Sequence, residues 1–137
     1  MKEGFKVVKE LSLESDYQSL IDVENLVGSV CDDFGIQTDA FGNVLIAVSE
    51  AVNNAIQHGN KEKQSARVYL QVGTSTDRFY IQVKDEGPGF SHQDLPDPTA
   101  PENLLKDSGR GVYLMKNLAD EVEFLQAGNT VNLYFHK

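Results

Sequence analysis

Apolar and polar positions change period several times along the chain, and each change marks an element. Between residues 5 and 12, Phe5, Val7 and Leu11 stand against Lys6, Lys9 and Glu10, which predicts an amino-terminal strand whose alternation is blurred by the Val7-Val8 pair. Leu20, Val23, Leu26, Val27, Val30 and Phe34 then recur at steps of three and four. That spacing predicts an amphipathic helix with Ser15 as its N-cap and Gly35 as its stop. A second helix is expected from Thr38 to about His58, because Phe41, Val44, Leu45, Val48, Ala51, Val52, Ala55 and Ile56 form one broad apolar stripe before Gly59. Two alternating stretches, 66–72 and 79–83, read as an antiparallel hairpin, and Asp85-Glu86-Gly87-Pro88-Gly89-Phe90 then breaks the sheet. Residues 91–108 carry Pro96, Pro98 and Pro101, few large apolar groups and no period. A loop that long without structure of its own is often a lid. The third helix is expected near Gly111 with Val112, Leu114, Met115 and Leu118 inward, and 122–125 with 131–135 close the chain as a hairpin around Gly128-Asn129.

This order predicts an α+β two-layer sandwich: a mainly antiparallel sheet with helices on one face, the other face solvated or used for contacts. A chain of 137 residues with 40% hydrophobic content fits one domain, 1–137, with a core of its own. Its charge of -9, from 21 acidic and 12 basic residues, repels nucleic acid and anionic bilayers, so neither is expected as a partner. Cys31 stands alone among apolar helix positions, where a buried thiol is the ordinary occupant. Residues 1–11 lack the apolar run of a signal peptide or membrane span, and a cytoplasmic location is expected.

Three short segments carry chemistry. Glu50 and Asn54 lie one turn apart on the second helix, away from the apolar stripe, with the small Ala47 between them in projection leaving room for a ligand. A solvated polar face is the ordinary explanation of an arbitrary pair of this kind, and the pair alone proves little. Asp85 ends a strand just before Gly87 and Gly89, which either form a simple turn or let the backbone pass close to a ligand, with Asp85 turned inward toward a donor. Ser108-Gly109-Arg110-Gly111 precedes a helix, where free N–H groups and the helix dipole favour phosphate. Neither a P-loop nor a dinucleotide-binding glycine pattern occurs in the chain.

Taken in order, 49–59 (Ser-Glu-Ala-Val-Asn-Asn-Ala-Ile-Gln-His-Gly), 85–90 (Asp-Glu-Gly-Pro-Gly-Phe) and 109–115 (Gly-Arg-Gly-Val-Tyr-Leu-Met) resemble the N, G1 and G2 boxes of the GHKL ATPases. Within that superfamily the chain is most similar to the stand-alone anti-sigma-factor serine/threonine kinases of partner-switching systems. The resemblance implies a Bergerat-type fold that binds ATP and Mg²⁺. Asn54 would coordinate the metal, Asp85 would read the adenine amino group and Glu50 would be the general base. Gly87 and Gly89 would shape the pocket, 91–108 would be the ATP lid, and Gly109, Arg110 and Gly111 would meet the phosphates. Arg110 could also stabilise charge on the transferring phosphoryl group, although an exposed arginine at a helix start is as ordinary.

The implied function is phosphorylation of a STAS-type antagonist together with reversible sequestration of a sigma factor or similar target, by a protein that could act as a homodimer. Family members often carry an arginine just before the second glycine box, whereas Lys106-Asp107-Ser108 stands here, and an acidic Asp107 beside a triphosphate is unfavourable unless it points to solvent. The alternative is a non-catalytic, nucleotide-gated binding module. The ATPase half of a histidine kinase is disfavoured because no histidine-bearing helix precedes the first box, and the length leaves no room for the transducer domain of gyrase-type ATPases.

Overall fold

Strand β1, Lys6–Glu14, lies at one edge of a five-stranded sheet with spatial order β1-β2-β3-β5-β4. The protein's structure, a computed structural model, describes residues 4–60, 66–87, 107–125 and 129–137, without the side chains of 58, 59 and 107–111. Gly89, Gly128 and the expected lid as far as residue 106 lie outside the described residues. The register of β1 slips between Val7 and Lys9, so Val8 is the extra residue of a bulge, which explains why Val7-Val8 blurs the alternation. Strands β2 (Arg67–Thr74), β3 (Arg78–Lys84), β4 (Glu121–Leu125) and β5 (Thr130–His136) complete the sheet, and every pairing is antiparallel.

Helix α1 spans Leu20–Phe34 and ends at Gly35, whose φ of 66° is the left-handed cap that glycine adopts without steric cost. Its start departs from expectation. Asp16, not Ser15, caps the entry: its carboxylate accepts from Gln18 N–H at 2.9 Å and opens a 3-10 turn, Tyr17–Ser19. Ser15 is instead buried at the end of β1. Helix α2 spans Thr38–Asn54 and runs on as a wider π-helical turn, Ala55–Gly59. Helix α3 spans Asp107–Leu118, so it begins four residues before the expected start at Gly111. Two glycines argue against helix locally, but Val112 and Met115 are buried, and α3 packs on α2; packing overrides the propensity cost of about 1 kcal/mol per glycine.

One layer of core joins the helices to the sheet. Val23, Val27 and Val30 of α1 and Val44, Ala47, Val48, Ala51 and Val52 of α2 meet Val68, Leu70, Val72, Phe79, Ile81, Val83, Val131, Leu133 and Phe135. Each fully buried valine or leucine contributes about 1.5–3 kcal/mol relative to exposure, so this shared face determines which side of every strand points inward. Cys31 is buried among these groups, and burial, reinforced by Asp32, raises its pKa and keeps the thiol protonated.

The opposite face is less open than expected. At its centre Tyr80, Asn132 and Tyr134 are fully buried. Phe5 closes over them, with its ring 5.3 Å from that of Tyr80 and 5.6 Å from that of Tyr134. Gly73 makes the arrangement fit, because a Cβ there would lie 2.0 Å from the Tyr80 ring. The polar tips are satisfied in place: Tyr80 donates to Gln71 at 2.8 Å, Tyr134 donates to Glu123 at 3.0 Å, and Gln82 donates to Asn132 at 2.9 Å. On the side toward β1 the face is concave, with an open groove of about 510 Å³ lined by Glu10, Ser12, Tyr69, Gln71, Gln82 and Lys84.

Candidate functional site

The end of β3 carries the most constrained polar residue of the three segments. Alternation along β3 puts Lys84 on the outer face and turns Asp85 toward the helices, where it is 8% exposed. Its backbone N–H donates to the carbonyl of Asn129 at 2.9 Å, and its Oδ1 accepts from Gly87 N–H at 2.7 Å. Burial raises the Asp85 pKa above its ordinary value of 3.8, and the Gly87 bond offsets this only in part. Among the described residues Gly87 is the one donor to this carboxylate. Within the described residues this leaves lone pairs of a buried acid open, and an exocyclic amino group is one kind of donor that such a carboxylate accepts from.

Glu50 and Asn54 sit one turn apart on α2 and are both half-buried. They flank the apolar stripe and do not lie on a fully solvated face, as their spacing from Ala47 and Ala51 dictates. Ala47, expected to leave room for a ligand, is fully buried and belongs to the core. The backbone of Gly109, Arg110 and Gly111 lies inside α3, not ahead of it. With the helix starting at Asp107, the unpaired N–H groups of its first turn belong to about residues 107–109.

Two asparagines outside the three segments hold this region together. Asn60, for which the sequence predicts no role, is 3% exposed; its Oδ1 accepts from Glu86 N–H at 2.8 Å and its Nδ2 donates to the Arg67 carbonyl at 3.0 Å and to Ser15 Oγ at 3.3 Å. Asn129, expected as a turn residue, supplies the carbonyl for Asp85 and reaches the Gly87 carbonyl through its amide at 3.5 Å. Glu86 braces the same loop from outside, accepting from Arg67 N–H at 2.6 Å and from the Tyr69 hydroxyl at 3.3 Å. No pattern in the sequence distinguishes these asparagines from ordinary loop residues.

Among the described residues no three His, Cys, Asp or Glu side chains gather to hold a metal. A divalent cation here would depend on few protein ligands, and the amide oxygen of Asn54 is a hard donor suited to Mg²⁺ held mainly by phosphates and water. The donor set therefore fits a cation that arrives with a nucleotide.

A family model described as the histidine kinase-like ATPase domain matches residues 13–135. The chain belongs to that family. Among the described residues, the five-stranded antiparallel sheet and three helices are the α+β arrangement that the resemblance to the GHKL ATPases implies. Among curated relatives, the serine-protein kinase RsbW of Bacillus subtilis (strain 168) is 37% identical over 102 residues, covering 70% of this chain and 64% of that kinase. The serine-protein kinase RsbW of Bacillus licheniformis is 34% identical, covering 78% of this chain and 71% of its own length. For that of Staphylococcus aureus (strain MRSA252) the figures are 30% identity, 96% and 86%. The chain thus spans a little under two thirds of the Bacillus subtilis kinase and more of the other two. No helix among the described residues is long and apolar enough to cross a membrane.

Proposed function

We propose that the chain is an ATP-dependent protein serine kinase of the anti-sigma type, acting in the cytoplasm as one domain over residues 1–137. The observation that carries this is Asp85, a carboxylate held in the core with a single described donor, within a chain whose relatives are named serine-protein kinases. Asp85 accepts from the adenine amino group, and Gly87 and Gly89 let the base approach the backbone. Asn54 offers its amide oxygen to the cation, while Gly109, Arg110, Gly111 and the first turn of α3 face the phosphates beneath a lid formed by 91–106, the last two residues of the expected lid belonging to α3. Bound Mg²⁺ offsets charge on the transferring phosphoryl group. Glu50, half-buried one turn before Asn54, takes the proton of the incoming serine hydroxyl, and Arg110 balances the charge that develops.

The substrate is a STAS-type antagonist, and a sigma factor or similar regulated protein is the second partner. Two copies associate through β1 and the adjoining outer sheet face, where Val7 and Val8 are more than 40% exposed at a strand edge. The deciding experiment incubates the chain with Mg-ATP and a STAS-type antagonist and reads phosphoserine by mass spectrometry. Wild type is expected to transfer phosphate, whereas Glu50→Ala and Asn54→Ala bind the antagonist with phosphotransfer lowered about a hundredfold or more. Tight binding without any phosphoprotein would establish a nucleotide-gated binding module instead.

A further inference from the structure

We propose that Asn60 is a positioning residue of the nucleotide site, one that sets where the Asp85 carboxylate points; this rests on the reading of Asp85 as the adenine-recognising group. Asn60 lies outside the three boxes and touches no expected ligand. Its side chain nevertheless joins three segments distant in sequence: the end of β1 at Ser15, the start of β2 at Arg67, and the loop after β3 at Glu86. An amide that is 3% exposed, with both ends bonded, has one orientation available.

The peptide unit between Asp85 and Glu86 is planar, so fixing the Glu86 N–H fixes the plane leaving the Asp85 Cα. Asn60 does this at 2.8 Å. The peptide entering Asp85 is fixed by its own N–H on the Asn129 carbonyl at 2.9 Å. Both peptide planes around Asp85 are therefore tethered, which leaves only side-chain torsions, and Gly87 N–H holds those at 2.7 Å. Asn60 also ties the loop to the helix that carries Glu50 and Asn54, because its backbone N–H donates to the Ala55 carbonyl at 2.7 Å in the turn that continues α2. One residue thus sets the spacing between the group that reads the base and the groups that serve the phosphates. Arg67 anchors both struts, accepting from Asn60 through its carbonyl and donating to Glu86 through its N–H.

Adenine presents an amino donor where guanine presents a carbonyl oxygen, and a correctly aimed carboxylate accepts the first and repels the second. The ratio of ATP to GTP affinity consequently reports the aim of Asp85, whereas general loosening of the fold weakens both ligands together. The test is calorimetric titration of the full chain with Mg-ATP and Mg-GTP, with thermal melting of each variant alongside. Asp85→Asn serves as the reference that abolishes the preference. Asn60→Ala is expected to lower the ratio about tenfold, mainly through ATP. Asn60→Asp keeps an oxygen for the Glu86 N–H but sets its second oxygen against the Arg67 carbonyl, and is expected to rescue part of that loss at a lower melting temperature. Ser15→Ala removes only the partner remote from the loop and is expected to lower the melting temperature with the ratio intact. If Asp85→Asn leaves the ratio unchanged, the adenine reading falls and the role of Asn60 with it. If Asp85→Asn collapses the ratio while Asn60→Ala keeps it, the positioning role alone is overturned. Should Asn60→Ala fail to fold, Asn60→Asp decides: a ratio as low as that of Asp85→Asn overturns the proposal.

Discussion

Replacing Asp85 by Asn separates two roles that a buried carboxylate can have, because it should weaken nucleotide binding without weakening the fold. Oδ1 of Asp85 already accepts from Gly87 N–H, and this bond survives if the Asn oxygen takes its place. The Asn nitrogen then faces the site, and a donor confronts the donor of the adenine amino group. Losing a charge-assisted hydrogen bond costs about 1.5–3 kcal/mol, which weakens ATP binding about 10- to 150-fold. Stability should move the other way. Burial raises the Asp85 pKa above its ordinary 3.8, so the folded state holds this proton more tightly than the unfolded state does. A group of that kind stabilises fully below 3.8, and its contribution is lost as pH rises through the folded-state value. At neutral pH the wild type therefore carries the cost of a buried charge that Asn lacks. The variant is expected to melt at or above the wild-type temperature at pH 7, with the difference shrinking toward pH 3. Calorimetry gives the affinity, and melts across pH give the stability. A variant that binds ATP normally, or that melts far below wild type at pH 7, would show that Asp85 anchors its own turn and is not reserved for a ligand.

Gly73→Ala should destabilise by about 1–3 kcal/mol in urea titrations, because its Cβ would lie 2.0 Å from the Tyr80 ring and Tyr80 is fully buried. Unchanged stability would mean that the ring moves freely. Trypsin should cut after Lys106 more slowly with Mg-ATP bound than with ADP or no nucleotide, as a lid over the γ-phosphate requires; equal rates with binding verified would remove the lid. Light scattering should give a dimer mass that falls on dilution, and a monomer mass at all concentrations, with and without nucleotide, would exclude association through β1.

Elements set by local periodicity were legible. The hairpin expected at 66–72 and 79–83 is β2 and β3 at Arg67–Thr74 and Arg78–Lys84, and Gly35 caps α1 in the left-handed conformation. Period-2 and period-3.6 patterns encode which face is buried, and burial is the main term that the core supplies. Asp85 was legible as a candidate for a related reason, since its place after an alternating strand fixes the side it turns to.

What escaped the sequence depends on partners far along the chain. Ser15 looks like an N-cap because its neighbours start a helix, yet Asn60 donates to it across 45 positions, and the cap passes to Asp16. The start of α3 was placed late because glycine weighs heavily in a local count, while the burial of Val112 and Met115 weighs more. The outer sheet face was expected to be solvated or used for contacts, and periodicity does not say that Tyr80, Asn132 and Tyr134, which alternate with core residues, are fully buried at its centre. Its burial requires Phe5 to cross to that face and Gly73 to leave space, a match of a large ring to a missing side chain that neither residue announces alone. The two asparagines around Asp85 follow the same logic. Asn is common at turns, so its presence at 60 and 129 says little until three strands meet there and their peptide groups need donors and acceptors. The inward turn of the Asp85 carboxylate is therefore encoded locally, while its orientation is encoded by contacts that exist only after the sheet has closed.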